Sequence, residues 1–201
     1  METGYTATDF RGAGLKGITD SSIGVRWQVA QGERWVLTLR GAGIIKGSYP
    51  LSTTANFSPG DKASGGLGSA IVGAYLPKGL YTFAELGYRI RTNSVPQDYF
   101  GNAGIGHAFK RLSYSTSYQT SRSINGLDII TGPNPYFKPI QFPQTKKIFG
   151  AMDYNANYRL DAGLNIGFNY SKIFHGRNVG LKDVIALSLS FTLPGHGPHI
   201  H

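Results

Sequence analysis

Along most of this chain apolar and polar side chains alternate with a period of two, the pattern of strands whose two faces meet different surroundings. The last such run shows it most plainly, with Ile185, Leu187, Leu189, Phe191 and Leu193 on one face and Ala186, Ser188, Ser190 and Thr192 on the other. Before it, Leu164, Ile166, Phe168 and Tyr170 oppose Asn165, Gly167, Asn169 and Ser171 in a run over 162–171. The stretch 148–160 sets Met152, Tyr154 and Tyr158 against Asp153, Asn155, Asn157 and Arg159. The stretch 111–121 sets Leu112, Tyr114 and Tyr118 against Ser113, Ser115, Ser117 and Gln119. Further strands are predicted over about 21–30, 34–47, 66–76, 80–91 and 98–109, the first with Ile23, Val25, Trp27 and Val29 on its apolar side. All ten prolines fall outside these runs or at their ends, as a hydrogen-bonded ladder requires.

The connections alternate in length. Short turns are expected near 31–33, 77–79, 110–111 and 160–161, and longer loops over about 48–65, 92–97, 122–146 and 174–182. Short turns at one end and long loops at the other are the habit of an up-and-down membrane barrel, with the short ends in the periplasm. For both termini to lie on that side, one more strand must precede residue 20, and residues 4–15 are the candidate. The expected fold is therefore all-β, an antiparallel up-and-down transmembrane β-barrel of about ten strands over residues 1–193, with 194–201 a short tail. The opening Met-Glu-Thr-Gly-Tyr shows no secretory signal, so the chain reads as a mature form with an added Met or as one missing an N-terminal part. In the second case the parent barrel has twelve strands.

A soluble barrel also alternates, and the composition of the polar face separates the two. A water-facing surface would carry Lys, Glu and Asp, whereas here it is mostly Ser, Asn, Gly, Thr and Gln, as suits a confined lumen. Charged residues make up only 15% of the chain, against roughly 25% in an ordinary soluble domain. The runs are long enough to cross a bilayer at a tilt, which takes about 9–11 residues. Aromatics on the apolar face gather toward strand ends, Trp27, Trp35, Phe109, Tyr158 and Phe191 near the short turns and Tyr88, Tyr99 and Tyr170 nearer the long loops, like interfacial girdles. Packing between the sheets of a β-sandwich is the plainer alternative for these rings. No segment has the long apolar run of a transmembrane helix.

The formal charge of +9 raises the question of nucleic acid, but the basic residues are dispersed and form no stripe, so no nucleic-acid partner is expected. Cysteine is absent, which excludes thiolate catalysis and zinc–thiolate sites. The glycines at 65, 66 and 68 lack the strand–loop–helix setting of a phosphate cradle and read as strand bends, and no cofactor is expected.

Parity places Arg26, Arg40, Glu85, Arg89, Arg91, Asp153 and Arg159 in the lumen. Two readings follow: an Arg-rich constriction that favours anions, with Glu85 pairing one Arg, or a salt-bridged filling of a narrow barrel. The loop 122–146 carries Pro133, Pro135, Pro139 and Pro143 with Tyr136, Phe137 and Phe142, a stiff surface that reads either as a ligand-entry lid or as a cap over its own rings. His199 and His201 in the tail would point the same way on a strand, yet no carboxylate accompanies them and a terminal tail is usually mobile, so no metal site is expected. An enzyme is not expected either. His107 falls on the apolar parity, and nothing in the spacing brings His175 to Ser171 and Asp183.

Three strings carry a family resemblance: Asp20-Ser-Ser-Ile-Gly-Val-Arg-Trp27, Ala84-Glu-Leu-Gly-Tyr-Arg89 and Tyr99-Phe-Gly-Asn-Ala-Gly-Ile-Gly106. In these and in overall rhythm the chain resembles bacterial outer-membrane barrels, particularly the small transporter or meta-pathway phenol-degradation-like family. The resemblance implies residence among outer-membrane lipid and passage of small, often hydrophobic, solutes. The closing strand also resembles the signal read by the barrel assembly machinery, an apolar alternation ending in an aromatic. Phe191 holds that place here, with ten residues following it. The expected function is a channel or transporter for small hydrophobic or anionic solutes. A non-conducting structural or adhesive barrel whose loops bind a partner is the alternative, and a lipid-modifying enzyme a more remote one.

Overall fold

The computed structural model describes residues 5–10, 13–49, 61–128, 143–160, 164–179 and 183–191. Its described residues are strands and connections, with 3-10 turns at Pro77–Gly79 and at 143–144. Strands β1 (Tyr5–Phe10) and β2 (Ala13–Ile18) form a two-stranded hairpin. The remaining nine strands form one antiparallel sheet in strict chain order. They are β3 (Ser21–Gln31), β4 (Trp35–Ile45), β5 (Gly65–Tyr75), β6 (Leu80–Arg91), β7 (Asp98–Phe109), β8 (Leu112–Ser123), β9 (Ile148–Arg159), β10 (Leu164–Arg177) and β11 (Asp183–Phe191). Each strand pairs with the one before and after it, and among the described residues no ladder joins β3 to β11.

The expected strand pattern holds over these nine strands, and two expectations change. Residues 4–15 do not form a tenth strand of the sheet. Instead Tyr5–Phe10 and Ala13–Ile18 pair with each other in antiparallel register, Phe10 opposite Ala13. The loop expected to begin at 174 begins later. A register shift between Ile173 and His175 leaves Phe174 unpaired, and β10 continues beyond it to Arg177. A second shift leaves Val29 unpaired between Gln28 and Ala30.

The cross-strand register fixes what each face carries. In one row Arg26 stands opposite Arg40 and Arg40 opposite Ser69; further round, Asn102 stands opposite Gln119 and Gln119 opposite Ala151. These side chains share one face. The other face carries Ile23, Val25 and Trp27 of β3, Leu39 of β4, Val72 of β5, Leu86 of β6 and Ile185, Leu187 and Leu189 of β11.

Burial runs opposite to that of a soluble domain. Val25 and Leu86 are each 74% exposed and Leu187 78%. The buried residues, by contrast, include Ser69, Asp98, Ser117, Ser121, Ser123 and Thr145. Buried apolar side chains among the described residues are few, among them Tyr49, Ala63, Val95, Pro96 and Ala151. The sheet thus curls around a polar interior and turns its apolar face outward.

Close packing inside the curl depends on small residues. A Cβ added at Gly87 would lie 2.2 Å from the Phe100 ring and 2.7 Å from Ser69. The Phe100 ring thus lies over Gly87 on the neighbouring strand, and the Arg89 guanidinium lies 5.9 Å from its centroid. Replacing Gly87 by Val should lower stability by about 1–3 kcal/mol through overpacking. Denaturant unfolding should show a smaller loss for the same change in a Phe100→Ala background, where the ring is gone.

Candidate functional site

The interior holds a cavity of about 440 Å³ between β4 and β9, lined in part by Arg40, Glu85, Asn102 and Gln119. Alternation along β4, β6, β7 and β8 aims these side chains inward. Arg40 approaches Glu85 at 3.6 Å, and Ser69 donates a 2.6 Å hydrogen bond to the same carboxylate oxygen. The Asn102 carbonyl oxygen is buried without a hydrogen-bond partner.

Toward the long-loop end the cavity is capped by a network of ion pairs. Arg89 bonds Asp98 through two nitrogens at 3.1 and 2.5 Å, and Arg91 bonds the same carboxylate at 2.8 Å. Ser121 donates a 2.7 Å bond to Asp98, which is 1% exposed. Arg91 also pairs with Asp61, and Lys147 reaches Asp61 at 2.5 Å. Beside this, Asp20 gathers the segment before β5: Gly47 N–H at 2.7 Å, Asp61 N–H at 2.8 Å, Lys62 N–H at 3.0 Å and the Tyr49 hydroxyl at 3.2 Å. Burial and the neighbouring Asp20 carboxylate push the Tyr49 phenol well up, so it stays a protonated donor. Four cations (Arg40, Arg89, Arg91, Lys147) thus stand among four carboxylates (Asp20, Asp61, Glu85, Asp98). This interior is charge-compensated.

Burial alone would raise the Asp61 carboxyl, but Lys147 and Arg91 outweigh it and hold it below the usual carboxylate range. A group depressed in the folded state stabilises above its unfolded value and loses that contribution as pH falls through the folded one.

The residues assigned to the lumen by parity separate into groups. Arg40, Glu85, Arg89 and Arg91 line the common cavity. Arg26 stands opposite Arg40 across the β3–β4 ladder, yet it is exposed near the free edge of the sheet and lies outside that cavity. Asp153 faces Ser117 and Ser171 in neighbouring strands. Arg159 is exposed at the short-turn end of β9. Tyr136, Phe137 and Phe142, like the histidine-containing tail, lie outside the described residues. His175 stands in β10 opposite Gly150 with its ring against Phe174, while the Asp183 carboxylate accepts from the Tyr170 hydroxyl at 3.2 Å. Among the described residues no group of His and carboxylates is arranged to hold a metal ion.

Sequence reasoning missed Asp20, Tyr49, Asp61, Asp98 and Lys147. Asp98 was readable, since it begins β7 on the inward parity. The Asp61–Lys147 contact spans 86 positions and joins two connections, where period-two alternation carries no information. No protein-family model matches the chain, and no curated protein matches its sequence.

Two outcomes follow from this network. Asp98→Ala should cost about 3 kcal/mol in denaturant unfolding, because it takes the carboxylate from the half-buried Arg89 and leaves the buried Arg91 with Asp61 alone. Denaturant stability should lose the Asp61 contribution in acid, between the ordinary carboxylate range and the lower value that Lys147 and Arg91 impose. Asp61→Asn should be less stable at neutral pH, with a smaller loss over that acid range.

Proposed function

We propose that this sheet is the wall of a bacterial outer-membrane β-barrel that passes small solutes through its interior. The observation that carries the reading is the inverted burial: apolar side chains point outward and exposed, while Ser, Asp and Thr are buried within. In water such a surface would aggregate, and in lipid it is the stable one. On the outward parity of the nine strands the charged residues are Arg122, Lys172, Arg177 and Asp183, all toward the long-loop ends. Trp27, Trp35, Phe109 and Tyr158 stand exposed toward the short turns, as an interfacial girdle would.

A lipid setting requires closure, because an unpaired strand edge has no water to bond. With nine strands in alternating directions, β3 and β11 run the same way. One further strand, antiparallel to both, closes the sheet as a ten-stranded barrel. The short turns then face the periplasm and the long loops the exterior.

The lining of the cavity supports one solute class over another. Compensated charges, with Asn102 and Gln119 between them, suit a small polar solute better than a strongly charged one. A second reading, a barrel closed to solutes whose loops act instead, is favoured by the same ion pairs, since they cap the cavity at its loop end.

Single-channel conductance of the refolded protein in planar bilayers tests these readings. Reproducible small steps are expected, with ion selectivity moved toward cations in Arg40→Ala because Glu85 loses its partner. Insertion with heat-modifiable gel migration but no conductance would support the closed barrel. Failure to insert would sink the membrane reading itself.

A further inference from the structure

The lumen cavity between β4 and β9 has two kinds of wall, and the register stacks one on the other. In one inward row Ser69, Gly87, Phe100, Ser121 and Phe149 stand opposite one another on β5 to β9. The next inward row toward the short turns carries Glu85, Asn102 and Gln119 on β6 to β8. Adjacent inward rows lie about 7 Å apart along the strands, and neighbouring strands about 4.8 Å apart. Phe100, Phe149, Glu85, Asn102 and Gln119 all line the one cavity. Both rings are partly buried, and inward parity turns what they expose to the lumen. Between them the row carries only Ser121, whose hydroxyl is turned to Asp98.

The polar row holds hydrogen-bonding atoms that the protein leaves unused and open. Glu85 accepts from Ser69 and meets Arg40 through Oε1, while its Oε2 has no partner among the described residues. The Gln119 carboxamide has none there on either atom, and neither has Asn102 Nδ2. The Asn102 oxygen is shut away, but these other four atoms keep accessible surface. Three neighbouring strands thus present an acceptor, a donor and a group that is both.

Together the two rows select among solutes. An apolar solute would strip water from the four atoms and offer them nothing in return. An anion would meet the open Glu85 oxygen, and a cation the guanidinium groups of Arg40 and Arg89. A neutral solute with hydroxyls around its rim and C–H groups on its face satisfies both rows. Each hydroxyl donates and accepts, and the electron-rich face of an aromatic ring attracts C–H groups. We propose that the cavity binds a neutral saccharide of one or two rings, its C–H face against Phe100 and Phe149 and its hydroxyls bonded to Glu85, Asn102 and Gln119. The inference names the solute of the transport reading above and rests on that reading.

The test is saturation-transfer NMR of maltose with the refolded protein in lauryldimethylamine oxide micelles, a detergent without a sugar headgroup. Folding is checked by heat-modifiable gel migration. Maltose should bind saturably, with its ring C–H protons receiving the signal, and the anion gluconate should bind markedly more weakly. Gln119→Leu should raise the Kd for maltose about tenfold through loss of its hydrogen bonds. Phe149→Leu, which stays apolar but removes the ring, should raise it by a similar factor. Three outcomes in a gel-shifted protein overturn the saccharide assignment and leave the barrel reading standing: no maltose binding, binding that Gln119→Leu leaves unchanged, or tighter binding of uridine than of maltose. A wild type that shows no gel shift and fails to insert into lipid overturns both.

Discussion

Successive side chains leave a strand on opposite faces, and this molecule depends on that alternation holding across nine neighbours at once. A one-residue slip in any strand would carry its apolar side chains into the interior and its polar ones out. The chain permits such a shift in two places, at Val29 near the end of β3 and at Phe174 well along β10. Each falls toward one end of its strand, where the register of most of the ladder is already set. Everything else, from the outward apolar belt to the cavity between β4 and β9, follows from register kept elsewhere.

The polar interior then has to be satisfied, and it is satisfied locally. Asp98 draws on two guanidinium groups and a serine, and Asp61 on an arginine and a lysine from another connection. Coupling of this kind ties the segment before β5, the start of β7 and the approach to β9 into one end of the molecule. Burying ion pairs is costly in desolvation, and the gain lies in their mutual attraction and completed hydrogen bonds. The network thus fixes how the loop-end segments sit more than it adds to net stability.

The fold was largely legible because alternation is a local signal: 98–109 and 80–91 could be bounded from residue types alone, and the structure keeps those limits. The hairpin at 5–18 was not, because a reading that counted strands took residues 4–15 as a single strand. Of the site, Arg40 with Glu85 was legible from parity, and the Asp61–Lys147 pair was not, since it joins connections whose approach is set by the curl of the whole sheet. Arg26 shows the limit of parity itself: it faces the right way, but at the edge strand no neighbour encloses it.

The odd strand number in the sheet carries one more consequence, for how copies of this chain could associate. Two molecules oriented alike in a bilayer would bring β11 of one beside β3 of the other with both running in the same direction. Antiparallel joining of like edges would demand that one copy lie upside down, which a fixed sidedness of turns and loops forbids. If the proposed membrane setting holds, edge-to-edge fusion of two such sheets into a larger antiparallel ring is closed, which leaves the outward apolar faces for contact between copies.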